Sequence, residues 1–494
     1  MMGYQSGNQP KLFYPSVNLE ERIPENHVLR RIKSRIDFDF IYDEVRGRYG
    51  EKGNVSVPPP VILKMMLLLI LYNVRSEREL MTTIALRLDW IWFLGYDLDS
   101  EIPDHSVLSK ARSRWGVEAF KNFFERIVWQ CVEAGLVDGT KLFMDSSLVQ
   151  ADAANTSVIK SDALKIHLAR GYQELEARLD EKASPGDESK SGAINRRYLS
   201  TTDPDASVNR QGAGQPKLQY KVHRGVDEKH EVITATEVTP GEVNEAHQML
   251  PLLEDHQKNT EKAADTVVAD TKYGTVENYL SCYELGLQAH IPDLKSSQET
   301  AGQRKGVFSD EAFTYDPESD TYRCPAGHIM TRRRHKKKRE ALEYACGRRI
   351  CKACDLRDQC TRSVNGRSIK RHLRQEELNR MREHARSAPS RRDLRARQHL
   401  MERSFAQATR YGFKRARWRR LWRVQIQEYL TAAIQDILIL LCHVKEPCSA
   451  MQRLYAGTDK TRVGLGRWFL KCEEVFFELW CFFFTAPSAS AMTS

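Results

Sequence analysis

Two apolar runs that each stop on an aspartate constrain this chain more than any other feature. Leu142-Phe143-Met144 runs into Asp145, and Val267-Val268-Ala269 runs into Asp270. Short apolar runs bounded by polar residues read as buried strands. An acid at the end of such a strand is rigidly held and opens onto the sheet's edge. Taken singly, an aspartate there is an ordinary turn or helix cap. Repetition of the pattern within one strand-rich region predicts a single sheet with two acids at its edge.

The residues between and after these runs supply the rest of that sheet. Leu218 to Val226 alternates like a strand, Asp227-Glu228-Lys229-His230 turns, and Val232 to Val238 returns. A helix is predicted over 244–253, another over 275–285, and a last short strand over 288–292. A hairpin followed by strand–helix alternation gives the α/β class, a mixed sheet flanked by helices. Sites in such sheets gather at the carboxyl ends of parallel strands. The polar stretch 156–215 reads as helical around Ala163 to Leu179 and then as loop.

Residues 1–135 read as helical. Pro24-Glu25-Asn26-His27 opens an amphipathic helix with apolar Val28, Leu29, Ile32 and Ile36, and Pro58-Pro59-Pro60 opens another through Tyr72. Ser76 with Glu79 forms a capping box. Pro103-Asp104-His105-Ser106 caps a helix bearing Lys110, Arg112 and Arg114. Two readings stay open for this region: a helix-turn-helix that enters the major groove, and a plain helical bundle with a solvated face.

The net charge of +10 favours a polyanionic partner. No secretory leader is expected from Met1-Met2-Gly3-Tyr4-Gln5, and no membrane span. Val61 to Tyr72 is too short to cross a bilayer and holds Lys64; Val475 to Phe484 is shorter and holds Glu478. The expected location is the cytoplasm, at the nucleoid.

A third acid, Glu402, opens a stretch that has no further acid until Glu428. That stretch holds Arg403, Arg410, Lys414, Arg415, Arg417, Arg419, Arg420 and Arg423. Solvated faces normally mix both signs, so a one-sign strip beside an acid suits a site that grips a phosphate backbone. Trp418 and Trp422 fit either core packing or stacking on bases. Glu376, Glu377, Glu383 and Glu428 are helical alternatives for the third acid. Asp145, Asp270 and Glu402 are expected to converge on divalent cations, Mg²⁺ or Mn²⁺, for phosphodiester chemistry; carboxylates suit hard ions.

Five cysteines fall between Cys324 and Cys360 in a charged segment. The Cys351-Lys352-Ala353-Cys354 pair, with Cys324 and Cys360, makes a ligand set for structural Zn²⁺; Cys346 and His328 are spare candidates, and free thiols are the alternative. The basic run Arg332 to Arg339 lies in this insertion.

Several pieces carry a resemblance. They are Phe143-Met144-Asp145-Ser146-Ser147, Tyr220-Lys221-Val222-His223, Glu237 to Val243, Val268-Ala269-Asp270-Thr271-Lys272-Tyr273-Gly274 and Glu402-Arg403-Ser404-Phe405-Ala406. Ser76-Glu77-Arg78-Glu79-Leu80 and Pro103-Asp104-His105-Ser106 join them from the helical region. In order and content they resemble bacterial insertion-sequence transposases of the DDE type, over roughly residues 10 to 445. The resemblance implies an RNase H-like catalytic fold, with Asp145 and Asp270 as the two aspartates and Glu402 as the glutamate. It implies cleavage at the ends of an element and transfer of the freed strand into target DNA. The DNA partners would be terminal inverted repeats and target, and the acting species at least a dimer. The family usually has Asn where Asp436 stands here.

The expected organisation is a helical DNA-binding domain over 1–135, the first part of the core over 136–300, and a basic Cys-rich insertion over 301–388. C-terminal core helices over 389–446 and a tail over 447–494 complete it. Two other functions remain on the sequence alone: a nuclease of the same fold that does not rejoin strands, and a DNA-binding protein without catalysis.

Overall fold

The computed structural model describes residues 1–4, 18–160, 195, 198–210, 214–293 and 306–444. The helix predicted around Ala163 to Leu179 and the tail 447–494 lie outside these residues. Residues 1–443 form one compact unit. Among the described residues no helix is long and apolar enough to cross a membrane.

Eight helices come first: α1 (Leu19–Arg22), α2 (Val28–Arg35), α3 (Phe40–Val45), α4 (Pro59–Leu71), α5 (Glu77–Ile84), α6 (Leu88–Leu94), α7 (Ser106–Trp115) and α8 (Glu118–Glu133). Cap bonds form at the predicted places, the Ser76 half of the capping box among them. Ser76 Oγ accepts the Glu79 N–H at 3.1 Å, and Asp104 Oδ1 accepts the Ser106 N–H at 2.9 Å. The apolar run from Val61 becomes α4, buried on all sides. Its Lys64 ammonium lies over the Phe38 and Phe93 rings, and burial pulls its pKa down to about 8.

The central sheet contains β1 (Lys141–Gln150), β2 (Ser207–Asn209), β3 (Lys217–Asp227), β4 (Ile233–Pro240), β5 (Thr266–Val268) and β6 (Gln288–His290). Its order is β4-β3-β1-β5-β6, with β2 pairing the first residues of β3 beside β4. β3 is antiparallel to β1 and β4; β5 and β6 run parallel to β1. This is the RNase H-like mixed sheet. Helices α9 (Met249–Thr260) and α10 (Val276–Glu284) cover one face, burying Leu142, Met144, Val267 and Ala289 among Leu252, Tyr279 and Cys282.

One strand differs from its predicted length. The apolar run ends at Met144, but β1 continues through Asp145 to Gln150. Its parallel pairing with β5 stops at Phe143, whereas its antiparallel pairing with β3 carries on to Gln150. Hydrogen bonds to β3 hold Ser146 and Ser147 extended although they add no apolar surface.

Residues 314–372 form a separate five-stranded antiparallel sheet: β7 (Thr314–Asp316), β8 (Thr321–Arg323), β9 (Ile329–Lys336), β10 (Ala341–Ala345) and β11 (Ser368–His372). Its small core is Phe313, Tyr322, Met330, Tyr344, Cys346 and Ile369. Three helices follow: α11 (Gln375–Arg386), α12 (Ala388–Thr409) and α13 (Leu421–His443). α11 packs on α10 and β6, with Leu378 and Met381 in the central core. α13 lies on β4, α8 and α4, which ties the helical region to the sheet.

Between α12 and α13 the chain turns at Gly412, where φ is +80°. A Cβ there would stand 2.5 Å from Asn73 Oδ1, so only glycine permits the approach. Trp418 donates to Glu77 at 3.0 Å and stacks with Arg112 at 4.0 Å. Packing against the helical region is therefore its role here. Arg112 is itself buried and paired with Glu77, so it does not belong to a solvated groove-reading face.

Asp436, where the resembling family has Asn, is fully buried in α13. Oδ1 accepts the Ile233 N–H at 2.9 Å, and Oδ2 has no partner. Burial raises its pKa well above the usual carboxylate range, more than the Ile233 N–H and Arg224 lower it. The folded chain thus binds this proton more tightly than the unfolded chain. The resulting stability is full below about pH 4, the ordinary aspartate range, and is lost as pH rises towards the folded pKa. Asp436→Asn is expected to raise the Tm at pH 8 and to flatten its decline between pH 6 and 9. Thermal denaturation across that range checks it; an unchanged slope would contradict the assignment.

Candidate active site

Asp145 and Asp270 meet at the centre of the sheet. β1 and β5 are parallel with Phe143 opposite Val268, and each aspartate lies two residues further on. Asp270 lies two residues past the end of β5, and its Oδ1 accepts the Lys272 N–H at 3.0 Å. The cap role and the site role therefore coexist. Burial raises the Asp270 pKa and the Asp145 charge raises it further, while Lys272 opposes them. Two carboxylates in mutual repulsion form an oxygen donor set that a hard divalent cation would relieve.

The structure brings four further residues to the pair. Arg397 on α12 donates to Asp145 Oδ2 at 2.7 Å. Glu245, 5% exposed, accepts from Ser146 Oγ at 3.0 Å and pairs with Lys272 at 2.9 Å and Lys221 at 3.1 Å. Tyr273 is buried with its hydroxyl unpartnered; that burial raises its pKa, and the charges of Asp145, Glu245 and Asp270 raise it further. Lys272 and Tyr273 stand beside Asp270 in the chain and so were within reach of sequence reasoning. Glu245 and Arg397 carried no local signal: one opens a single 3₁₀ turn, the other is one arginine among many on α12.

Glu402 is placed differently. It lies on α12, which crosses the sheet and presents Asp393 to Lys141 and His290, Arg397 to Asp145, and Ser404 to Arg224. Arg397 and Ser404 are seven residues apart, about two turns, and share the inward face. Glu402 is five residues beyond Arg397, rotated by roughly 140°. It is exposed and accepts from Gln398 at 3.2 Å. The element that carries it crosses the site, but its carboxylate is not joined to the two aspartates. Among the described residues no group of three or more His, Cys, Asp or Glu side chains stands in metal-holding geometry. Of the alternative acids, Glu428 is 2% exposed and is the counter-ion of Arg224 at 2.7 Å. Glu376 and Glu377 pair with Arg371 and Arg374.

The basic strip divides. Arg403, Arg410, Lys414, Arg415 and Arg419 are exposed. Arg403 pairs with Glu231, while Arg415 and Arg419 pair with Asp152. Lys414 and Arg415 lie against the end of β1, where the Lys414 carbonyl accepts the Gln150 N–H at 3.0 Å. Arg417 turns inward to Asn73 and the Val74 carbonyl. Arg420 has φ +80°, and its N–H donates to Asp203. Arg423 stacks on Trp422 at 4.6 Å.

Cys324, Cys346, Cys351, Cys354 and Cys360 line one small cavity with His328. Burial and the neighbouring Cys351 raise the Cys346 thiol pKa, and burial raises that of Cys360.

A sheet of this order, with one aspartate on the central strand and another just past the end of its parallel neighbour, belongs to the RNase H-like class. Comparison with known families narrows it. Residues 17–114 match the Transposase domain family DUF772, and residues 323–440 match the Transposase DDE domain family. The two matches, each to less than half of the chain, support an insertion-sequence transposase of the DDE type. The first match covers α1 to most of α7; the second covers the cysteines, Arg397 and Glu402 but neither aspartate. No curated protein and no solved structure matches the chain.

Proposed function

We propose that the chain cuts DNA at the ends of its own element and joins the freed 3′-hydroxyl to target DNA. The observation that carries this reading is that Asp145 and Asp270 each lie two residues past the last paired position of adjacent parallel strands, in a chain that matches transposase families. Asp145 and Asp270 would hold Mg²⁺ or Mn²⁺, which when bound supplies Lewis-acid activation and charge neutralisation at a phosphodiester. Glu402 would complete the set once α12 adjusts and Arg397 leaves Asp145 for a phosphate oxygen. Lys272, fixed by Glu245, faces the same place with its side chain 62% exposed. The exposed Arg403, Arg410, Lys414, Arg415 and Arg419 would follow the backbone. In joining, one P–O bond forms as another breaks, so no external energy source is required.

The helical region would read the terminal repeats, and two ends held together would require at least a dimer. Incubating the chain with a pre-cut end bearing a 3′-hydroxyl and a target plasmid tests joining. Covalent product is expected. Cleavage without joined product would favour a nuclease of the same fold.

The cysteine cavity fits Zn²⁺ by donor chemistry. Soft thiols surround one space in a sheet whose apolar core is small. Cys324, Cys351, Cys354 and Cys360 would be the ligands. About one zinc per chain is expected by elemental analysis. Retention of that zinc after Cys351→Ser with Cys354→Ser would refute the ligand set.

A further inference from the structure

Helix α12 has two faces of opposite character. Asp393, Arg397 and Ser404 point to the sheet, and each has a partner there. On the other side Arg391, Arg392 and Arg395 are exposed. At about 100° per residue, Arg391 and Arg395 fall within roughly 20° of Glu402 around the helix, and Arg392 within roughly 80°. The three arginines and Glu402 therefore share one outer face. Along the axis, Arg395 lies about 10 Å before Glu402 and Arg391 about 16 Å before it.

Among the described residues none of these three guanidinium groups has an ion pair or a hydrogen bond. The positions three and four residues from each of them hold no acid. Asp393, the one acid between 387 and 401, turns inward to Lys141 and His290. By contrast, Arg397 and Arg403 on the same helix do have carboxylates, those of Asp145 and Glu231. Arg395 stands one turn from both Arg391 and Arg392, a spacing at which like charges destabilise a helix. Arg391 closes the first turn, where the helix dipole favours anions over cations. A solvated face normally mixes both signs. This face instead holds cations against one another and against the dipole, and a polyanion laid on it relieves both terms.

We propose that the outer face of α12, through Arg391, Arg392 and Arg395, binds the backbone of duplex DNA flanking the reacting phosphodiester. Arginine is the side chain whose planar fork grips phosphate with two hydrogen bonds. Contacts of this kind position a duplex without reading its sequence. The exposed Arg403 and Arg410 follow Glu402 towards the other end of the helix. DNA lying along α12 is thereby held on both sides of Glu402.

This inference rests on the transposase reading, but binding without a divalent ion tests it apart from the chemistry. The full chain carrying Arg391→Gln, Arg392→Gln and Arg395→Gln is titrated in EDTA, over a range of salt, with a fluorescent duplex of arbitrary sequence. Affinity is expected to fall at least tenfold, and the slope of log K against log salt to shrink by about 2.7, at roughly 0.9 per lost phosphate contact. The Tm of the DNA-free variant should hold or rise, because mutual repulsion has been removed. An unchanged affinity, an unchanged slope, or a Tm lowered by several degrees would overturn the proposal, the last because the arginines would then belong to the fold.

A photocrosslinking residue at Gln398, exposed between Arg395 and Glu402, gives a readout with all three arginines in place. It should capture the duplex, whereas the same residue at exposed Leu285, beyond α10, should not. Absence of capture at Gln398 would overturn the proposal. Capture by a chain that neither cleaves nor joins would leave this face standing and remove the transposition chemistry.

Discussion

Asp270→Asn is expected to lower Mg²⁺-dependent cleavage at the element ends by about 10³-fold, with DNA affinity unchanged. The scale is that of removing a principal electrostatic stabiliser from a preorganised site. Asp145 and Asp270 each lie two residues past the last paired position of β1 and β5, so loss of either halves the donor set. Asp145→Asn should be as damaging, and it has a second signature. The Asp145 charge raises the Asp270 pKa after burial does. The ionised form is the one that holds a cation, so activity should fall on acidification through a pKa above that of a free aspartate. Removing the Asp145 charge should move the residual acid limb to lower pH. Initial cleavage rates from pH 5 to 8 check both effects. Glu402→Gln should share the loss only if α12 turns its exposed carboxylate inward during the reaction. A rate within threefold of the wild type would leave the third acid elsewhere, with Glu245 the nearest candidate.

Arg224→Ala is expected to destabilise the fold by about 3–5 kcal/mol, the cost of leaving a buried charge without its partner. Arg224 is 0% exposed and stands directly opposite Asp145 on β3. Its Nε donates to Glu428 at 2.7 Å, and its Nη1 to Ser404 Oγ and Gln435 Oε1, both at 3.0 Å. The guanidinium lies over both the Phe405 and Phe413 rings, which pack against each other. One residue thus locks α12, α13 and the α12–α13 connection onto the strand beside the site. Denaturant unfolding measures the effect, and Glu428→Gln in the same chain should recover part of it by removing the stranded charge. A loss below about 1 kcal/mol would mean that the network adds little. Because Arg224 sets the depth of α12, the variant should also weaken cleavage at temperatures where the fold persists.

The sheet was legible in sequence because its strands announce themselves by period and by punctuation. The hairpin turn at Asp227 to His230, the Pro240-Gly241 pair and the two apolar runs fix order and direction with little competition. The aspartates followed, since a strand end is a local property. The length of β1 was not legible: Ser146 and Ser147 are held by β3, a partner seventy-odd residues away. Arg224 read as one more alternating strand residue, yet its burial depends on Glu428, 204 residues later. The same limit hid Glu245 and Arg397, whose importance arises only when the β4–α9 connection and α12 reach one point of the sheet. The basic strip shows the converse error. Uniform sign suggested a uniform surface, but Arg417 folds inward to hold Asn73 and Trp418 packs on Arg112 and Glu77.

Asp270→Cys offers the most direct test that Asp145 and Asp270 hold a catalytic cation. Replacing a hard carboxylate by a softer thiolate shifts metal preference without removing the ligand. The chain should lose cleavage in Mg²⁺ and regain a substantial part of it in Mn²⁺, while Asp270→Ala regains none. Full activity of Asp270→Cys in Mg²⁺, or equal silence of both variants in Mn²⁺, would contradict the assignment.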